Sequence, residues 1–443
     1  MPKPLQNPIR FIPALFLAAI GIGTILLMLP VARVGSDSAP FITALFTATS
    51  AVAVTGLIVV DTPTYWTGFG QGVILLLFQI GGFGIMTAAT LLGLLAGRSF
   101  GLRDRMATQV ERSRLDIGSA RSVLKLVLGI TVTVELIVAA ILTLRFHFHH
   151  GFGWGEALWH GVFHSVSAFN NAGFSTFSDS VMGFQSDWLI LVPIMLSVII
   201  TALGFPVMQE LRARPFAVRK WTLHSKITVL GTVLLLSAGF IGVLVAEWSN
   251  PDTLGPMSFA DKALNAAFHS AMPRTAGFNS LDVGSFRDET LMGNYLLMFI
   301  GGGSAGTAGG IKITTFFVLL AIVFCEVRGQ RDAALFGRRV GHGIERQALS
   351  VIILALMLIT LGTAFILAIT PLPMDAVLFE TISAFSTVGL STGITADLPV
   401  AGQLVIIALM FIGRVGTITV ATALALGDAR KPYRYPEENP IVG

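Results

Sequence analysis

Long apolar runs alternate with short polar segments along the whole chain. Eight of them approach the roughly 20 residues that a helix needs to cross a bilayer: Phe11–Pro30, Gln71–Ala96, Val123–His147, Trp188–Leu211, Leu223–Trp248, Leu291–Glu326, Ala348–Thr370 and Gly402–Leu426. They fall into four pairs. Between the two members of each pair lies a shorter apolar run of about ten residues, too short to span, that ends at a glycine. The pattern predicts span, half-helix, glycine loop, span, four times over. Irregular backbone at membrane depth is tolerated only where it is buried in protein or lines a cavity.

The four glycine segments repeat one another. They read Phe46-Thr-Ala-Thr-Ser-Ala-Val-Ala-Val-Thr-Gly56-Leu, Phe163-His-Ser-Val-Ser-Ala-Phe-Asn-Asn-Ala-Gly173-Phe, Phe268-His-Ser-Ala-Met-Pro-Arg-Thr-Ala-Gly277-Phe and Phe379-Glu-Thr-Ile-Ser-Ala-Phe-Ser-Thr-Val-Gly389-Leu. A period of about a hundred residues is a whole module copied, not a solenoid unit. The expected organisation is repeat 1 over 1–97, repeat 2 over 98–212, repeat 3 over 213–328, and repeat 4 with the tail over 329–443. The fold class is an all-α polytopic membrane protein. Eight transmembrane helices and four re-entrant half-helices would surround one central pore.

Composition agrees. Hydrophobic residues make up 53% and charged residues 12%, against about 25% charged in soluble domains. The first apolar run lacks a clear small-residue cleavage site, so no cleavable signal is expected. The charges sort by side. The junctions between modules carry Arg98, Arg103, Arg105, Arg112, Arg114, Arg121 and Lys125, then Arg212, Arg214, Arg219, Lys220 and Lys226, then Arg328, Arg331, Arg338, Arg339 and Arg346, with Arg430, Lys431 and Arg434 in the tail. The loops within modules hold Asp61, Asp179, Asp187, Asp252, Asp282, Asp288, Glu289 and Asp397. By the positive-inside rule both termini are cytoplasmic and the glycine loops open outward. The net charge of +4 therefore reads as membrane orientation, not nucleic-acid binding. The acids either form a cation-favouring vestibule or are ordinary solvated loop residues.

A ring of backbone carbonyls can replace a cation's water shell. It needs small side chains, extended backbone and one residue free to adopt unusual dihedrals. The candidate filter residues are Val54, Thr55 and Gly56; Asn171, Ala172 and Gly173; Thr275, Ala276 and Gly277; and Thr387, Val388 and Gly389. The last three form the Thr-Val-Gly core of a potassium-channel filter. Half-helices aiming their C-terminal ends at the cavity would add negative potential. The third segment carries Pro273-Arg274 just before its loop, so four-fold symmetry is approximate, and Arg274 is expected to brace its loop from behind.

The second spans hold candidate gate elements. Ile80-Gly81-Gly82-Phe83-Gly84 aligns with Ile300-Gly301-Gly302-Gly303-Ser304 and Ile412-Gly413-Arg414-Val415-Gly416. The third continues through Gly301, Gly302, Gly303, Ser304, Ala305, Gly306, Thr307, Ala308, Gly309 and Gly310 to Lys312. Each glycine costs a helix about 1 kcal/mol relative to Ala, so two half-helices joined by a flexible plug are expected there. Arg414 replaces Gly82 of the first module. A charge at that depth faces the interior or a cavity. It is either a barrier to a cation or a clamp, held by a carboxylate such as Glu380 or by carbonyls of the broken span.

Other chemistry is thin. The loop lacks the Gly-Lys-Ser/Thr ending of a phosphate-binding loop, because Ile311 intervenes. His147, His149, His150, His160 and His164 lack a carboxylate fan for a metal and read as interfacial. Glu135 is a lone intramembrane acid, either a proton relay or an acid satisfied by a neighbouring helix. Cys325 is a small core residue, and no disulfide framework exists.

In combination, the four filter segments, the Gly-Gly-Gly-Ser-Ala-Gly-Thr-Ala-Gly-Gly loop and Ile-Gly-Arg-Val-Gly resemble the Trk/Ktr/HKT superfamily of cation transporters, most closely the membrane subunit of Ktr-type potassium uptake systems. The resemblance runs from Arg10 to the Tyr435-Pro-Glu-Glu-Asn-Pro tail. It implies a filter at Gly56, Gly173, Gly277 and Gly389, with a gate of the 301–310 loop and Arg414 beneath it. It implies a homodimer in a bacterial plasma membrane, each subunit with its own pore, on a cytoplasmic nucleotide-binding regulatory ring of the Ktr type. Glycine at position 56, where plant relatives often have Ser, implies potassium preference over sodium. The cytoplasmic loops are themselves too short for a nucleotide-binding domain of about 100 residues. The segments around Arg103–Arg114 and Arg328–Arg339 are the expected docking surface.

Three function classes follow. The first is a gated potassium pore with no bound cofactor, potassium as substrate and sodium left open as an activator. The second is a cotransporter coupling potassium to sodium or protons; such transporters usually show inverted repeats, whereas these share one orientation. The third, an intramembrane enzyme, lacks paired carboxylates or a nucleophile–base pair in any span, so the chain is expected not to be an enzyme.

Overall fold

The computed structural model describes residues 8–96, 120–330 and 332–416. The basic clusters at 98–114 and 430–434 therefore lie outside the described residues. The architecture is almost entirely helical. In chain order the helices are α1 (Pro8–Leu27), α2 (Phe41–Val52), α3 (Thr62–Tyr65), α4 (Gly68–Ala96), α5 (Ala120–Phe148), α6 (Trp154–Asn170), α7 (Trp188–Ala202), α8 (Phe205–Ala213), α9 (Leu223–Glu247), α10 (Phe259–Ala271), α11 (Asp288–Phe299), α12 (Ile313–Val327), α13 (His342–Ile369), α14 (Met374–Ser386) and α15 (Val400–Val415). A small antiparallel hairpin, β1 (Ala334–Leu335) with β2 (Arg338–Arg339), lies between α12 and α13.

Local signals set several helix starts. The side chains of Asp187, Thr222 and Ser258 accept backbone N–H groups at the N-termini of α7, α9 and α10, satisfying donors that have no partner inside the helix. Among the described residues, three helical stretches are long and apolar enough to cross a membrane: Val127–Phe148, Leu223–Glu247 and His342–Ile369. Leu136, Val245 and Ile353 stand exposed on them. Large apolar side chains outward on such helices suit a lipid-facing surface.

Two expected spans are not single helices. Trp188–Leu211 is α7 plus α8, bent by 97° at Leu203-Gly204. Gly204 has φ +87°, and a Cβ there would lie 2.3 Å from the Ser304 carbonyl oxygen. The bend is thus made against the glycine-rich loop. Leu291–Glu326 divides into α11 and α12, with the glycines between them as expected. The last apolar run is helical from Val400 to Val415, and residues 417–426 of it lie outside the described residues.

Helix packing has a cyclic order. The half-helices α2, α6, α10 and α14 each pack on the long helix that precedes them: α1, α5, α9 and α13. Across the sequence repeats, α4 packs on α6, α7 on α10, α11 on α14, and α15 returns to α2. Buried apolar clusters straddle these junctions. Phe268, Ala271 and Met272 of the third segment join Ile190, Ile194 and Val198 of α7 in one cluster.

Candidate functional site

The four glycine segments meet. A Cβ at Gly56 would lie 2.4 Å from the Ala172 carbonyl oxygen; at Gly173, 2.5 Å from that of Ala276; at Gly277, 2.2 Å from that of Val388; at Gly389, 2.1 Å from that of Thr55. Each glycine therefore faces the carbonyl that precedes the next glycine, and the fourth closes on the first. No side chain fits at these positions. All four glycines also have positive φ, at 90°, 69°, 64° and 93°, which glycine adopts without steric cost.

The residue two positions before the glycine is left-handed in three segments: Val54 (φ 55°), Asn171 (φ 59°) and Thr387 (φ 50°). Asn tolerates this conformation, whereas β-branched Val and Thr rarely do, at about 1–3 kcal/mol each. The third segment differs, with Thr275 extended at φ −177°. It is also one residue shorter. Phe268 stands nine residues before its glycine, where Phe46, Phe163 and Phe379 stand ten before theirs.

Three serines pin the segments, and the sequence reading passed over them. Ser50 Oγ accepts from Gly56 N at 3.1 Å and donates to the Leu57 carbonyl at 2.7 Å. Ser167 Oγ donates to the Phe174 carbonyl at 2.8 Å, and Ser383 Oγ accepts from Gly389 N at 3.1 Å. The signal was a Ser six residues before the glycine, present in these three segments and replaced in the third. There the Met272 carbonyl gathers the N–H groups of Thr275, Ala276 and Gly277 at 3.2, 3.0 and 3.3 Å. Arg274 is buried, its Nη2 3.4 Å from Thr232 Oγ1 on α9.

The hydroxyls of Thr55, Thr275 and Thr387 are buried without a hydrogen-bond partner among the described residues. Each such group forfeits about 1–3 kcal/mol of solvation. On one side, all four glycines line a cavity of about 560 Å³, together with Asp61, Asp179 and Asp282. Asp61 accepts from Thr64 and Ser178 at 2.6 and 2.8 Å.

The glycine-rich loop packs against the α7–α8 bend and the fourth segment. Gly301 N donates to the Ile311 carbonyl at 2.9 Å, Gly303 N to that of Ala202 at 2.6 Å, and Ile313 N to that of Gly302 at 3.0 Å. The Ala305 carbonyl accepts from Phe205 N at 3.2 Å, and Lys312 Nζ donates to the Ala308 carbonyl at 2.6 Å. Ser304, Ala305 and Gly310 are half-buried, and the other loop residues are buried. Arg414 is 3% exposed. It donates to the Thr307 carbonyl and, from 3.4 Å, to that of Gly81. Of the two clamps expected for Arg414, the carbonyl one is present. Glu380 instead accepts from Ser391 and Thr395.

Elsewhere, His149, His150 and Asp187 bring ligand atoms within 4.8 Å of one another. However, Asp187 Oδ2 already accepts from Arg145 Nε at 2.7 Å and His150 Nε2 at 2.9 Å. Burial alone would raise the Asp187 pKa; these two bonds and the Leu189 N–H outweigh it and hold the carboxyl below its ordinary value. Glu135 lies near Gln79 of α4, and its Oε1 is buried without a hydrogen-bond partner among the described residues.

The family model described as TrkH, cation transport protein, matches residues 2–430. The chain belongs to the TrkH family. Within this family it is similar to the Ktr system potassium uptake protein B of Bacillus subtilis (strain 168), at 41% identity over 442 residues and 98% of each chain. It is 36% identical over 446 residues to the potassium/sodium uptake protein NtpJ of Enterococcus hirae, covering 99% of this chain and 97% of that one. The crystal structure of the potassium transporter TrkH from Vibrio parahaemolyticus superposes with a TM-score of 0.73 at 18% identity, over 93% of this chain and 85% of that one. The TrkH fold is thereby shared, and the resemblance seen in the sequence motifs holds. The function class is cation transport across a membrane.

Proposed function

We propose that this TrkH-family chain takes up potassium through one pore formed by four repeats, each of two spans and a half-helix. The observation that carries this is the closed order of glycine–carbonyl approaches from Gly56 through Gly173 and Gly277 to Gly389 and back. Main-chain oxygens converging on one axis suit a dehydrated monovalent cation. The unpartnered hydroxyls of Thr55, Thr275 and Thr387 add oxygen donors, and the acid-lined cavity supplies a cation-concentrating entrance. Potassium is the substrate, and relatives named for potassium uptake support it.

The 301–310 loop, Lys312 and Arg414 are read as the gate. Arg414 acts both as clamp, through Thr307 and Gly81, and as electrostatic barrier, since an unscreened cation beneath a cation filter opposes passage. Both termini and the basic junctions face the cytoplasm. The working form is a homodimer in the bacterial plasma membrane, on a nucleotide-binding regulatory ring docked near Arg103–Arg114 and Arg328–Arg339. The "Ktr system" names of relatives support a separate component of such a system.

Rubidium influx into vesicles holding the purified protein tests the reading. Influx down its own gradient, without sodium or proton gradients, is expected, and Gly56→Ser should lower the preference for rubidium over sodium. Influx that requires a second ion gradient would establish the cotransport reading, which the potassium/sodium name of one relative favours.

A further inference from the structure

One side chain ties the second glycine segment to the glycine-rich loop. Asn171 is fully buried. Its Nδ2 donates to Thr307 Oγ1 at 2.7 Å, and its Oδ1 accepts from Thr201 Oγ1 at 3.1 Å. Thr201 stands at the end of α7, just before the bend. The Thr307 carbonyl accepts from Arg414. A single loop residue is thus held through its hydroxyl by the second segment and through its carbonyl by α15.

The matching positions do not make this link. Val54 has no polar side-chain atom. Thr387 Oγ1 has no hydrogen-bond partner among the described residues, although it faces the loop closely enough that a Cβ at Gly309 would lie 1.8 Å from it. Thr275 Oγ1 is likewise unpartnered. A left-handed backbone bend suits Asn without any such bonds, yet here both ends of the amide are engaged. Moving the loop away would leave a buried donor unpaired, which is disfavoured, so loop position and segment geometry are energetically linked.

We propose that Asn171 is a positioning residue that couples the ion preference of the filter to the position of the loop. The proposal rests on the filter and gate reading above. It predicts that Thr307, which is not among the filter residues, influences which ion passes.

The test is rubidium influx and its competition by sodium, in vesicles, for wild type, Thr307→Val, Thr307→Ser, Asn171→Ala and the Asn171→Ala/Thr307→Val pair. Thr307→Val should lower the preference for rubidium by about fivefold, within the range of coupling effects. Thr307→Ser should keep it, and the pair should be no worse than Asn171→Ala alone. If Thr307→Val does not fold, Thr201→Val removes the other bond to the amide and should lower the preference as well. A changed rate at wild-type preference in Thr307→Val, or additive losses in the pair, overturns the coupling. An unchanged preference in Gly56→Ser is a different result, and it sinks the filter reading instead.

Discussion

The molecule uses glycine in two ways, and comparing them separates conformation from crowding. In the four segments, glycine is needed twice over: φ is positive and the neighbouring carbonyl leaves no room. In the 301–310 loop only Gly310 among the glycines has positive φ. The others sit in ordinary backbone and are required because something touches them. A Cβ at Gly303 would lie 2.3 Å from the Leu203 carbonyl oxygen, and one at Gly309 1.8 Å from Thr387 Oγ1. A run that reads as a hinge is, in this conformation, a tightly seated insert. The segments are shaped by their own dihedrals, and the loop is shaped by its neighbours.

Substitutions can break this distinction. The largest effect is expected for Gly389→Ala, which is both strained and blocked: rubidium uptake should fall at least about a hundredfold, because overpacking and dihedral strain add. Uptake within twofold of wild type would show that the four segments do not approach as described. Next is Arg414→Ala. It removes the clamp on Thr307 and a buried positive charge, so unstimulated influx should rise about tenfold; unchanged influx in a well-folded variant refutes the barrier role. Gly309→Ala is crowded but unstrained. The loop should shift from Thr387 at a stability cost of about 1–3 kcal/mol, read as a lower thermal midpoint, while Gly310→Ala adds dihedral strain to that cost. Ser383→Ala should have the smallest effect, about 1 kcal/mol of stability from one lost buried hydrogen bond, with a modest loss of ion preference. Met272→Ser, in the segment lacking that brace, should not gain it, because the chain there is one residue short.

Much of this was legible in the chain. The half-helix and glycine units announce themselves because small residues precede a glycine in four aligned copies. The α11–α12 break was legible because so many glycines cannot sustain a helix. The α7–α8 bend was not. Its cause is a contact between Gly204 and Ser304, some hundred residues away, and Trp188–Leu211 reads as a continuous apolar run. The partner of Arg414 was legible only as a choice. Glu380 is claimed by Ser391 and Thr395, which lie nearer in the chain, and the arginine turns to main-chain oxygens instead. The serine braces were visible as a recurring letter, but a hydroxyl's role depends on a loop geometry that spacing alone does not supply.

The shortened third segment has a wider consequence. In an assembly of four identical chains, any change to the lining is imposed on every corner at once. Here a single polypeptide supplies all four, so one codon alters one corner. Met272 and Thr275 stand where the other segments keep a serine brace and a left-handed bend. If the four segments form the proposed filter, it can be tuned in quarter steps, trading a little symmetry for adjustability that a tetramer does not have.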